Sequence, residues 1–271
     1  MSVAGQNIAS CCAGLYELPI VEQLLGESFH PGGTKLTRQL ASASLVSPNS
    51  SVLDVACGNG RSARVIATHF GATVTGCDYS AVNLRRAIMS SQAAGISDKS
   101  QFVRASAMRL PFSPKSFDVA LCECSLCLFE DMDAALGQLH AVLRPGGRIG
   151  ISDFFLNAPV PDSLDGLLGQ VLCVAGAPSA DGYREALSRA GFDFVRIRKV
   201  NWTLADMIQR IRKQLKLLAT TNLIADAVLP NDFGNPAEVL KDLESFINSG
   251  GAGYLVATAT VTQHRRRLDK Q

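Results

Sequence analysis

The residues best placed to do chemistry stand around a glycine-bearing turn. Val52-Leu53-Asp54-Val55-Ala56-Cys57-Gly58-Asn59-Gly60-Arg61 runs from a short apolar stretch through two glycines into a helical pattern. Glycine lets the backbone turn tightly and lets a ligand approach with no Cβ in the way. Asp78 follows Gly60 by 18 residues, at the end of the next apolar run, in Thr75-Gly76-Cys77-Asp78-Tyr79. A carboxylate there can accept both hydroxyls of a ribose, as in doubly wound nucleotide-binding folds. Gly58-x-Gly60-x-x-Ala63 also fits the dinucleotide fingerprint, so an NAD-dependent oxidoreductase is one alternative. Asp54 weighs against it, because a carboxylate just before the turn would face a pyrophosphate. A cationic amino-acid group suits it better, and S-adenosylmethionine supplies an ammonium there. A non-catalytic protein that keeps such a cofactor pocket is the other alternative.

Eight cysteines form a second group. Their spacing matches no zinc ribbon, so no metal site is expected. Cys122, Cys124 and Cys127 crowd one segment, and strand alternation places Cys122 and Cys124 on one face with Glu123 on the other. Cys57, Cys77 and Cys122 read as small core fillers. His30, in Ser28-Phe29-His30-Pro31-Gly32-Gly33, is a candidate base, and Tyr16 a candidate lid residue. His140 reads as structural, and Glu22 and Glu27 as surface carboxylates.

Positioning these residues requires an α/β fold. Strands are expected at 52–56, 73–77, 101–104, 119–124, 148–154, 194–200 and 254–261. Helices are expected at 61–70, 81–94, 132–143 and 180–190. That alternation predicts a Rossmann-like, seven-stranded, mostly parallel sheet with helices on both faces. Residues 1–46 read as a helical cover and 47–271 as the main domain. A helical insertion near 204–249 precedes the last strand, where it and Trp202 would roof an acceptor pocket.

Composition limits the partners. The hydrophobic fraction of 47% supports a sizeable core. Lys plus Arg number 26 against 24 Asp plus Glu, a net charge of +2 that gives no field for nucleic acid. No apolar stretch is long enough for a membrane span. The start, MSVAGQNIAS, has no basic region before an apolar one, so the expected setting is the cytoplasm, with reduced thiols. The basic run His264 to Arg267 reads as a solvated tail.

Three spaced motifs carry a family resemblance. Leu53-Asp54-Val55-Ala56-Cys57-Gly58-Asn59-Gly60 resembles motif I of the class I S-adenosylmethionine-dependent methyltransferases. Leu110-Pro111-Phe112 with Ser116-Phe117-Asp118 is similar to their approach to the fourth strand, and Leu143-Arg144-Pro145-Gly146-Gly147 to their turn into the fifth. The resemblance covers roughly 48–200 and points to the ubiquinone/menaquinone-biosynthesis-like branch and the related arsenite methyltransferases. It implies S-adenosylmethionine as cofactor and a small-molecule acceptor. Asp54, Gly58 and Gly60 would cradle the methionine part and Asp78 the ribose. Tyr79 would flank the adenine, with Ala107 and Met108 on its other side. Glu123 joins this cofactor set at the end of the fourth strand. Ala56 replaces a usual glycine, and Ser106 stands where an acid commonly meets the adenine. Leu172-Cys173-Val174-Ala175-Gly176-Ala177 is similar to the arsenic-binding segment of arsenite methyltransferases. That likeness makes Cys173 a thiolate candidate, with Cys124, Cys127, or Cys11 and Cys12 completing a soft ligand set.

Overall fold

The computed structural model describes residues 14, 16–26, 28–164, 173–174, 176–220 and 235–262. Cys11, Cys12, Glu27, the tail at His264 to Arg267 and part of the 204–249 insertion lie outside the described residues.

Seven strands form one sheet: β1 (Ser51–Val55), β2 (Thr73–Asp78), β3 (Ser100–Arg104), β4 (Phe117–Glu123), β5 (Leu143–Leu156), β6 (Asp193–Lys199) and β7 (Ala252–Thr260). Their spatial order is β3-β2-β1-β4-β5-β7-β6. The pairings from β3 through β5 are parallel, and β7 runs antiparallel to both β5 and β6. The fold is the expected Rossmann-like one. Eight helices are described: α1 (Pro19–Leu25), α2 (Gly33–Ala43), α3 (Arg61–Phe70), α4 (Ala81–Ala93), α5 (Met132–Val142), α6 (Ala180–Arg189), α7 (Trp202–Thr220) and α8 (Pro236–Asn248).

Neighbouring residues along a strand feed opposite cores, as a sheet buried on both faces requires. Val52, Val119 and Leu121 pack with α2 and α3, whereas Leu53, Ala120 and Ile149 pack with α5 and α6. Leu36 and Leu40 of α2 are fully buried against the sheet. Gly150 of β5 permits that approach, since a Cβ there would stand 2.4 Å from Ser44 Oγ. Truncating either leucine would cost about 2–5 kcal/mol.

Three details depart from the sequence reading. Strand β5 begins at Leu143, and the Pro145-Gly146-Gly147 turn sits within it as a register jump between Phe117 and Val119 of β4. Cys122 and Cys124 do not share a face. Strand β4 ends at Glu123, and Cys124 turns into the left-handed region at φ 53°, so its thiol joins the α2/α3 core while Cys122 joins the α5/α6 core. Trp202 does not line the cavity described below. It is 38% exposed under the Lys35 ammonium, and α7 packs behind α1.

Candidate active site

One cavity opens at the carboxyl ends of β1, β2 and β4, where open α/β sheets bind ligands. Asp54, Gly58, Asp78, Tyr79, Ser106, Ala107, Met108, Glu123, His30, Tyr16 and Cys124 all line it. No described residue of α7 or α8 does.

The turn leaves β1 through three residues of positive φ: Ala56 at 54°, Gly58 at 52° and Gly60 at 72°. Only Ala56 carries a Cβ, at a cost of roughly 1–2 kcal/mol for a left-handed residue. The turn is held by Asp78. Its Oδ2 accepts from Gly58 N–H and its Oδ1 from Ser80 N–H, both at 2.8 Å. Each oxygen keeps a lone pair for a ribose hydroxyl. Burial pushes the Asp78 carboxyl up, against the two N–H donors.

Asp54 is 2% exposed, and its Oδ2 has no hydrogen-bond partner among the described residues. Its carboxyl is pushed well up, first by burial and then by the charges of Glu123 and Asp78; the Ala63 N–H opposes this. A buried, under-satisfied acceptor is costly unless something fills it. Three carboxylates around one cavity fit a ligand that brings an ammonium, a sulfonium and two ribose hydroxyls, and a pyrophosphate would be repelled. Past the end of β2, Tyr79 is 44% exposed beneath the Arg104 guanidinium. Across the cavity Ser106 Oγ already accepts from Met108 N–H at 3.3 Å.

Glu123 sits in a polar knot that sequence reading only half found. Ser62 Oγ donates to its Oε2 at 2.6 Å, Thr37 Oγ1 donates to the same oxygen at 3.1 Å, and His30 Nε2 lies 3.7 Å from Oε1. Thr37 and Ser62 carried one legible signal, a hydroxyl on the otherwise apolar faces formed by Leu36 with Leu40 and by Ala63 with Ile66. The ring of Phe29 closes over Gly58, where a Cβ would stand 3.2 Å from it.

Cys124, Cys127 and Cys173 gather behind the cavity, whose lining includes Cys124 but neither Cys127 nor Cys173. Cys173 lies fully buried at φ 60°, and its Sγ is 3.2 Å from the Cys124 carbonyl and 3.5 Å from Tyr16 Oη. Cys127 Sγ donates to Asp153 Oδ1 at 3.2 Å and approaches the Cys173 carbonyl at 3.4 Å. The neighbouring Cys124 and Cys127 side chains, and then the Tyr16 hydroxyl, draw Cys173 well below the usual thiol range against the effect of burial. Cys124 is pushed up chiefly by its bond to Cys173, and Cys127 chiefly by burial. Among the described residues no three His, Cys, Asp or Glu side chains stand in metal-holding geometry. Cys57, Cys77 and Cys122 are buried with raised pKa values, Cys77 to about 12, as befits inert thiols. His140 packs edge-on against Phe192, away from the cavity.

Comparison with known proteins agrees with this geometry. Residues 52–147 match a family model described as a methyltransferase domain. The 27-O-demethylrifamycin SV methyltransferase of Amycolatopsis mediterranei is 32% identical over 72% of this chain and 80% of its own length. The chain belongs to the S-adenosylmethionine-dependent methyltransferases. Another member, methyltransferase GfsG of Streptomyces halstedii, is also 32% identical, and this chain spans 62% of it, the match taking in 62% of this chain as well. The crystal structure of the [4+2]-cyclase SpnF superposes with a TM-score of 0.78 at 24% identity, covering 92% of this chain and 94% of that one, a likeness of fold.

Proposed function

We propose that this methyltransferase transfers a methyl group from S-adenosylmethionine to a hydroxyl of a small, largely apolar molecule. The observation that carries the reading is the buried, unpartnered Asp54 carboxylate sharing one cavity with Asp78. Asp54, assisted by Glu123, takes the ammonium and Asp78 the ribose hydroxyls. Gly58 brings the backbone close, whereas Gly60, expected beside the ligand, lies outside the lining and lets the turn pack on Ala87 and Phe102. Tyr79 flanks the adenine against Ala107 and Met108, and Ser106 meets its edge. When bound, the cofactor supplies an electrophilic methyl carbon on a positively charged sulfur. The protein's part is to align the acceptor and exclude water. Tyr16, Phe29, Leu128 and Phe129 form the apolar wall suited to that acceptor. The rifamycin relative, named for acting on an oxygen, supports a hydroxyl as the target. Tyr16, Ser28, Phe29 and His30, from the expected 1–46 cover, close this cavity on one side, and buried thiols suit a cytoplasmic enzyme.

The test is calorimetry with S-adenosylhomocysteine and with NADH, followed by product analysis on a panel of phenols and alcohols. Tight binding of the first ligand alone, with a methyl ether formed, is the expected result. Preference for NADH, or binding without turnover on any hydroxyl, would refute the reading. A second reading, methylation of thiol-bound trivalent arsenic in the manner of the arsenite branch, would need Cys124, Cys127 and Cys173 to share one ion, and among the described residues no three such side chains stand in ion-holding geometry. It requires that arsenite bind wild type and that Cys173→Ser abolish the binding.

A further inference from the structure

Hydroxyl methylation leaves a proton to be removed, and the polar knot behind the cavity shows where it goes. His30 is 8% exposed and lines the cavity. Its Nδ1 lies 3.1 Å from the Pro31 carbonyl oxygen, a group that can only accept. Nδ1 therefore carries the hydrogen of the neutral ring, and the lone pair falls on Nε2. Nε2 stands 3.3 Å from Thr37 Oγ1 and 3.7 Å from Glu123 Oε1. Thr37 has one hydroxyl proton, and the Glu123 carboxylate at 3.1 Å is nearer to it than Nε2, Ser62 Oγ at 3.4 Å or the Gly33 carbonyl at 3.5 Å. Its proton goes to Glu123, which leaves the Nε2 lone pair open to another hydroxyl. Ser62 fixes Glu123 from the other side at 2.6 Å, so the carboxylate cannot swing away.

We propose that His30 is the general base for the acceptor hydroxyl, with Glu123, Thr37 and Ser62 as positioning residues. The inference rests on the hydroxyl-methylation reading above. As the acceptor oxygen bonds to the methyl carbon, the carbon–sulfur bond breaks and its electron pair stays on sulfur. The hydroxyl proton passes to Nε2. The imidazolium so formed faces the Glu123 carboxylate, which balances its charge until the proton leaves to solvent. His30 comes from the segment before α2, so the base arrives with the cavity's cover rather than from the sheet.

Two measurements decide it. Nitrogen–proton correlation spectra of the histidine rings, taken on the S-adenosylhomocysteine complex with the His30 signal assigned by its loss in His30→Gln, report the tautomer without any turnover. A neutral ring protonated at Nδ1 and perturbed by Thr37→Val is expected; a ring protonated at Nε2, or one indifferent to Thr37→Val, overturns the proposal. In turnover, His30→Gln should slow methylation of a weakly acidic alkylphenol about 10²–10⁴-fold. It should scarcely slow a nitrophenol that is already ionised at mildly alkaline pH, and S-adenosylhomocysteine affinity should stay within threefold. Glu123→Gln should lower kcat on the alkylphenol more than it raises KM, and Thr37→Ser should restore what Thr37→Val loses. Equal slowing on both phenols would refute His30 as base. Failure of wild type on every hydroxyl, with S-adenosylhomocysteine still bound, would refute the hydroxyl reading and this role of His30 with it.

Discussion

Replacing Asp54 by asparagine separates what this residue costs the fold from what it gives the ligand. In the free protein its carboxyl is buried, Oδ2 lacks a partner, and Glu123 and Asp78 lie close enough to raise its pKa well above the ordinary value. A raised carboxyl pKa means that the folded chain holds the proton more tightly than the unfolded one. Stability from this group is thus fully present below the ordinary carboxylate range and is lost as pH rises toward the folded value. The asparagine side chain does not titrate, can keep an oxygen toward the Ala63 N–H, and can turn its amide hydrogens to the neighbouring carboxylates. The free variant should match wild type near pH 4 and exceed it near pH 8 by about 1–3 kcal/mol, the scale of an under-satisfied buried polar group. For a chain of this size that is roughly 2–4 °C in Tm per kcal/mol. The same change removes a charge-assisted bond to the cofactor ammonium worth about 1.5–3 kcal/mol. Calorimetry should therefore show S-adenosylhomocysteine binding about 10- to 150-fold more weakly. Thermal melts across pH and titration on the same preparations check both halves. A variant no more stable at high pH, and bound as tightly as wild type, would refute the reasoning.

Ala56→Gly relieves a left-handed alanine at φ 54° and should raise stability by about 0.5–1 kcal/mol, read by urea unfolding, once glycine's added chain entropy is subtracted. Gly58→Ala places a Cβ at φ 52° and 3.2 Å from the Phe29 ring, so it should weaken S-adenosylhomocysteine binding at least tenfold in calorimetry while the variant still folds. Asp153, whose carboxyl burial pushes up to about 7, accepts from Cys127 N–H, Cys127 Sγ and Phe154 N–H. Asp153→Asn turns an amide donor against at least one of these donors and should cost about 1–3 kcal/mol in unfolding at pH 8, where the wild-type carboxyl is ionised and only accepts.

Most of the sheet was legible because central parallel strands, buried on both sides, read as short apolar runs between glycine stops. Val52–Val55 and Thr73–Asp78 stood out for that reason, and the glycine turn with Asp54 and Asp78 came with them. Alternation failed at Cys124 because it assumes extended backbone, and φ 53° ends the strand one residue earlier. The polar knot was only partly legible, since Thr37, Ser62 and Glu123 are joined across 25 and 61 residues of sequence by tertiary packing alone. Trp202 and α7 were misplaced for the opposite reason. Their amphipathic pattern shows that one face is buried, yet it does not say against what, and α1 and β7 supplied that face.

The central claim is that S-adenosylmethionine binds with its ammonium on Asp54 and its ribose on Asp78. A crystal structure of the S-adenosylhomocysteine complex tests it most directly. The ligand nitrogen should stand about 2.7–3.2 Å from Asp54 Oδ2, with both ribose hydroxyls at the same range from the Asp78 carboxylate. A ligand whose adenine or carboxylate occupied the Asp54 position, or one bound outside this cavity, would contradict the account.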